Sequence, residues 1–208
     1  MAINTYATLQ TALANWLDRD DLTDRIPEFI ALCEARFNRD LRIRAMETKV
    51  TASTVAAQRN YALPPNYLQM RQLQINQTPV RVVEYMTPEM FDRLNGGSDT
   101  GIPYYYTIMA DEIALGPKPD SVMTLEMLFY KKFDELSVTT TTNWMIINAP
   151  DVYLYGSLME AEAFLVNDQR LPTWSAGYSR AITALNEADM RDRHSGSALR
   201  ITNTSGNP

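Results

Sequence analysis

The chain has 208 residues, 45% of them hydrophobic, with 19 Lys and Arg against 25 Asp and Glu, one His and one Cys. That length makes one domain, or one helical domain carrying a smaller inserted one, and it buries roughly 70% of the unfolded surface, enough for a core without cross-links. A lone Cys33 and a lone His194 exclude an internal disulfide, a cysteine zinc cluster and any one-chain site with two histidines, and the net charge of −6 opposes a broad basic face for gripping phosphates.

The first segment reads as two helices with a tight break. Tyr6, Leu9, Leu13, Trp16 and Leu17 recur at helical spacing behind Thr5, a natural N-cap, until Asp18-Arg19-Asp20-Asp21 interrupts them. A second helix starts near Thr23 or Asp24, with Pro27 and Glu28 in its first turn and Ile26, Ile30, Cys33, Phe37 and Leu41 as its apolar stripe. On that stripe Cys33 reads as a buried thiol.

Beyond Met46 the period changes from helical to alternating. Val50 to Val55 and Asn60 to Tyr67 read as strands, the second ending at Pro64-Pro65; Leu68 to Ile75 and Val80 to Tyr85 flank Asn76-Gln77-Thr78-Pro79 as a hairpin. Thr87-Pro88-Glu89 opens a short helix to Leu94, followed by a glycine-rich loop from Asn95 to Pro103. Strands resume over Tyr104 to Ile108, Ile113 to Leu115 and Val122 to Phe133. The Thr139 to Thr142 run is a polar connector.

The last third returns to helix. Trp144 to Ile147 forms a single turn, Pro150 opens a helix through Leu154, Leu158, Ala161 and Leu165, and a further helix carries Leu171, Trp174, Tyr178, Ile182 and Leu185. His194 sits at its C-terminal end, where a cation is electrostatically favoured. Residues 195–208 are small and polar apart from Leu199 and Ile201, too poor in apolar surface to fold alone. The fold class is therefore α+β: a helical bundle from residues 1–46 and 143–194, an inserted antiparallel β-rich domain over 47–142, and a C-terminal tail over 195–208.

No leader with a basic start and an apolar run opens the sequence, and no stretch approaches the ~18 apolar residues of a membrane span. The expectation is a protein kept in a reducing compartment, with no membrane partner. Catalytic signatures are equally sparse. Gly156-Ser157 lacks the rest of a nucleophile elbow, Gly96-Gly97 is not followed by a phosphate-loop Lys, and Asp189 with Asp192 reads as a solvated helix surface. No catalytic residue, cofactor or metal is expected. Among the cations, 15 are Arg and 4 are Lys, beside 11 Tyr and 11 Met, a set enriched where proteins meet proteins. Arg36, Arg39, Arg42 and Arg44 fall within nine residues, either as a solvated face compensated by Glu34 and Asp40 or as an interface.

At the C-terminal helices the sequence meets a known pattern. Asn143-Trp144-Met145-Ile146-Ile147-Asn148-Ala149-Pro150-Asp151, Val152-Tyr153-Leu154-Tyr155-Gly156, Glu160-Ala161, Phe164-Leu165, Arg170, Trp174 and Tyr178 resemble the head-to-tail adaptors of short-tailed phages. Trp16-Leu17, Ile26-Pro27-Glu28-Phe29-Ile30, Arg39-Asp40-Leu41-Arg42, Met46-Glu47 and Tyr61-Ala62-Leu63-Pro64 extend the likeness over most of the chain. The resemblance implies a structural virion protein and not an enzyme, with about twelve copies closing a ring between the portal and the tail nozzle or fibres at the head–tail junction. It also implies a lumen in transient contact with passing DNA. The interface residues expected on this basis are Arg36, Arg39, Arg42 and Arg44, with Leu199 and Ile201 as apolar anchors on the portal. Two other readings stand beside it. One is a small enzyme or ligand module walled by Tyr104 to Tyr106; the other is a DNA-terminus binder using Arg36 to Arg44.

Overall fold

The computed structural model describes residues 2–19, 21–95, 99–165 and 169–194. The chain divides into two compact units, one of residues 1–43 with 134–208 and one of residues 44–133. It contains both helices and a curled mixed sheet, the α+β class.

In the first unit, α1 (Tyr6–Leu17) begins at Thr5, whose side chain accepts the Thr8 amide while the Thr8 hydroxyl accepts the Thr5 amide, a reciprocal cap. It buries Leu9, Leu13 and Leu17. Helix α2 (Ile26–Asp40) starts later than Thr23 or Asp24 and without a side-chain cap; Pro27 in its first turn removes a donor that would otherwise need one. Helices α4 (Trp144–Asn148), α5 (Pro150–Leu165) and α6 (Leu171–His194) complete the unit. Helix α5 packs against α1, α2, α4 and α6. Apolar residues surround it almost completely, which suits a helix enclosed by others.

Gly156 lets α5 approach Cys33 of α2 closely. A Cβ there would fall well inside contact distance of the Cys33 Sγ, and would also press on the Tyr178 ring. Cys33 is fully buried, its Sγ directed at the Val152 carbonyl 3.6 Å away, and burial pushes its thiol far above the ordinary value. The expected buried thiol is what the structure contains.

In the second unit a single 3-10 turn (Arg44–Met46) precedes β1 (Glu47–Ser53). The other strands are β2 (Asn60–Ala62), β3 (Tyr67–Asn76), β4 (Arg81–Tyr85), β5 (Thr100–Gly101), β6 (Tyr105–Met109), β7 (Glu112–Gly116), β8 (Lys118–Pro119) and β9 (Thr124–Lys131). Seven of them form one sheet in the order β1-β9-β3-β4-β6-β7-β2, and β5 pairs with β8. The core lies on one face, built from Leu73, Ile75, Val83, Tyr106, Ile113, Leu115, Leu125, Met127 and Phe129. The opposite face of β1, β9 and β3 is a polar ladder: Gln74 and Asn76 donate to Glu126 at 2.9 and 3.0 Å, and Lys49 reaches it at 2.7 Å. These donors, Asn76 foremost, hold the Glu126 carboxyl below its usual value.

The antiparallel β-domain expected from the alternating pattern is corrected at two strand pairs, one of them β5 with β8, where Thr100 pairs with Lys118 and Gly101 with Pro119 in parallel. Strands β4 and β6 pair in parallel, Glu84 with Tyr105 and Tyr85 with Tyr106. The reason is α3 (Pro88–Asn95) between them: a parallel pair needs a crossover that carries the chain back, and α3 packs against β6 as that crossover. Of the expected glycine-rich loop, residues 96–98 lie outside the described residues, and Thr100–Gly101 is the strand β5.

Candidate interaction surfaces

The arginines expected to form an interface have different surroundings. Arg36 on α2 donates through Nε to Glu160 Oε1 at 2.9 Å, with its Nη2 on the same oxygen. Arg42 Nη1 donates to the Asn38 carbonyl at 2.8 Å and to the Leu41 carbonyl, closing the C-terminal end of α2. Arg39 and Arg44 are exposed. Leu199 and Ile201 lie outside the described residues.

Of the two carboxylates expected to compensate Arg36 and Arg39, Asp40 accepts from the Tyr178 hydroxyl at 3.0 Å and Glu34 is turned elsewhere. Glu34 is buried, and its Oε1 accepts from the Leu136 amide and from the Tyr153 hydroxyl, both at 2.8 Å. Burial raises its carboxyl above the ordinary value, partly offset by those two donors. Tyr153 in turn accepts from Asn143 Nδ2 at 2.6 Å, and Asn143 also caps α4 through the Ile146 amide. Burial beside Glu34 likewise drives the Tyr153 hydroxyl far above its ordinary value. This network fixes residues 134–143 to α2 and α5 and is structural in character.

Helix α5 presents two unlike sides. Residues 155 and 164 are nine apart, two and a half helical turns, so they project in opposite directions. On the side towards α2, Phe164 meets Phe29 at 5.6 Å between ring centroids, with the Arg36–Glu160 pair one turn away. Leu32 follows Phe29 by three residues and precedes Arg36 by four, so it shares this line. Both Leu32 and Phe164 are more than half exposed, at 52% and 54%. On the other side, Tyr155 stacks on Trp174 at 6.2 Å and Trp16 meets both rings edge-on, at 6.3 and 5.4 Å. Glu162 is buried there between Trp174 Nε1 at 3.4 Å and Arg170 Nε at 3.3 Å. Glu160 and Glu162 thus occupy different faces as their spacing demands, but each is engaged by an arginine. Next to Trp16, a cleft of about 190 Å³ runs along α1, lined by Ile3, Thr8, Ala12, Asn15 and Trp16.

In the second unit the three consecutive tyrosines do not wall one pocket. Tyr106 is buried in the core against Tyr85, its hydroxyl pushed up to about 12 by burial, whereas Tyr104 is exposed beneath the Arg81 guanidinium at 4.3 Å. Among the described residues no group of three or more His, Cys, Asp or Glu is placed to hold a metal, and no helix is long and apolar enough to cross a membrane.

Trp16, Phe164 and Arg39, exposed on these helices, are of the side-chain types enriched where proteins associate. Against that background the sequence matches the SU10 adaptor protein family over residues 4–202. The chain belongs to the SU10 adaptor protein family. SU10 adaptors are structural phage proteins, so this chain is a virion component, and the family implies contact with portal and tail components. No curated protein matches the sequence.

Proposed function

We propose that this SU10 adaptor is the head-to-tail adaptor of a short-tailed phage, about twelve copies closing a ring between portal and tail through heterologous contacts. The family match across residues 4–202 carries the reading. The two unlike sides of α5 support it, because a closed ring needs two different faces on every subunit. In this reading the helical unit is a bundle into which the strand-rich unit is inserted. Residues 195–208 order on the portal through Leu199 and Ile201, and Arg39 and Arg44 contribute exposed cations to the assembled surfaces. The excess of acidic residues in the chain keeps DNA from adhering as it passes the lumen.

Light scattering of the full chain alone and mixed with portal rings tests the proposal. The expected result is a large, portal-dependent complex. A chain that stays monomeric and ignores portal overturns it. Truncation after Gly196 is expected to abolish portal binding, and unchanged binding removes the role given to the tail.

A further inference from the structure

We infer that Phe164 of one copy seats in the α1 cleft of the next, so that successive subunits join through the opposite sides of α5. This rests on the ring reading and names its contact. Three observations converge on a second copy as the occupant. First, Phe164 packs on Phe29 and is 54% exposed, and Leu32, three residues beyond Phe29 on α2, is 52% exposed, so two large apolar side chains and not a single one are open on this side of the unit. Second, the cleft beside Trp16 is of a matching size. An enclosed cavity of roughly 150 Å³ admits a benzene; this cleft, open to solvent and edged by the polar Asn15, offers about 190 Å³, room for a phenylalanine ring. Its Thr8 hydroxyl is already engaged with the Thr5 backbone, donating to the carbonyl at 2.9 Å and accepting the amide, so it places little polar demand on an apolar guest. Third, Trp16, which borders the cleft, packs on Tyr155, and Tyr155 lies half a helical circumference from Phe164.

The third point selects the geometry. A knob and a hole on opposite sides cannot satisfy each other within one chain. Nor does a two-fold dimer pairing knob with knob fill the hole. A head-to-tail arrangement occupies both in every subunit except at the ends, and closure removes the ends.

The test uses the full chain in the presence of portal rings, with Ala12→Cys in one preparation and Leu32→Cys in another, so that Phe164 itself is kept, treated with a short bismaleimide. Cys33 is fully buried and stays silent. The expected outcome is a cross-linked dimer only when the two preparations are mixed, and a ladder of dimers, trimers and larger species from the double variant. Asn15→Cys, at an exposed site of the same cleft, serves if Ala12→Cys fails to fold. Ala12→Trp added to Asn15→Cys, which fills the cleft and keeps a reactive thiol, is expected to abolish the heterodimer with Leu32→Cys. Self-linking of Leu32→Cys alone, or no heterodimer from the mixture, overturns the pairing. Light scattering of the unmodified chain with portal rings separates the two levels. Rings without this cross-link overturn the pairing alone, and a persistent monomer overturns both.

Discussion

Asn143 holds three separate pieces of backbone and side chain together: it caps α4, donates to the Asp134 carbonyl at 2.8 Å and donates to Tyr153. Replacing it by alanine removes a cap and two further bonds, so Asn143→Ala is expected to cost about 2–3 kcal/mol in urea unfolding. Glu34 gives a pH signature. Its folded-state carboxyl is raised, so in the window above the unfolded value near 4.5 the folded chain holds more protons than the unfolded one. Stability from this group is therefore present below that window and declines as pH rises through the folded value. Both donors use Oε1, which Glu34→Gln keeps as an acceptor. That variant is expected to retain the fold and to flatten this decline in melts across pH 4 to about 7. Cys33 was legible at this scale, because a helical stripe says what it faces. The role of Glu34 was not: the arginine it seemed to compensate pairs with Glu160, 124 residues further along the chain. Local spacing carries no information about such a partner.

Turn chemistry made the strand elements readable. The β3–β4 hairpin pairs Leu73 with Val83, Gln74 with Val82 and Ile75 with Arg81 around the Asn76 to Pro79 turn, and α3 begins at Pro88 as its first-turn proline dictates. Direction was not readable. Whether β6 runs with or against β4 depends on where α3 packs, a tertiary fact absent from alternating hydrophobicity. Phe91, fully buried on α3, anchors the crossover. Phe91→Ala is expected to destabilise by about 3–5 kcal/mol and to raise hydrogen exchange selectively at residues 84–86 and 104–106. Gly156 shows the same limit. Beside Ser157 it resembles a truncated nucleophile turn, whereas its structural task is to let α5 approach α2. Gly156→Ala is expected to lose about 1–3 kcal/mol, with much of the loss recovered by adding Cys33→Ala, a coupling that a double-mutant cycle reads directly.

Across the whole molecule, composition already favoured assembly over catalysis, and the helical periodicity located α5, but the two faces of α5 emerge only once α1, α2 and α6 are in place around it. The way those helices are gathered has a consequence in time. Helices α1 and α2 are synthesised ahead of α5, and the partners of α2, Tyr153 and Gly156 on α5 and the Leu136 amide that ties Glu34, lie more than 100 residues beyond Cys33 and Glu34. Residues 44–133 are contiguous and hold their own apolar cluster. Loop closure over long separations is slow, so the strand unit is expected to acquire protection before the helices in pulse-labelled refolding. Simultaneous protection of α2 and β3 would contradict this order. A nascent chain therefore carries two helices without their α5 partners until α5 itself appears.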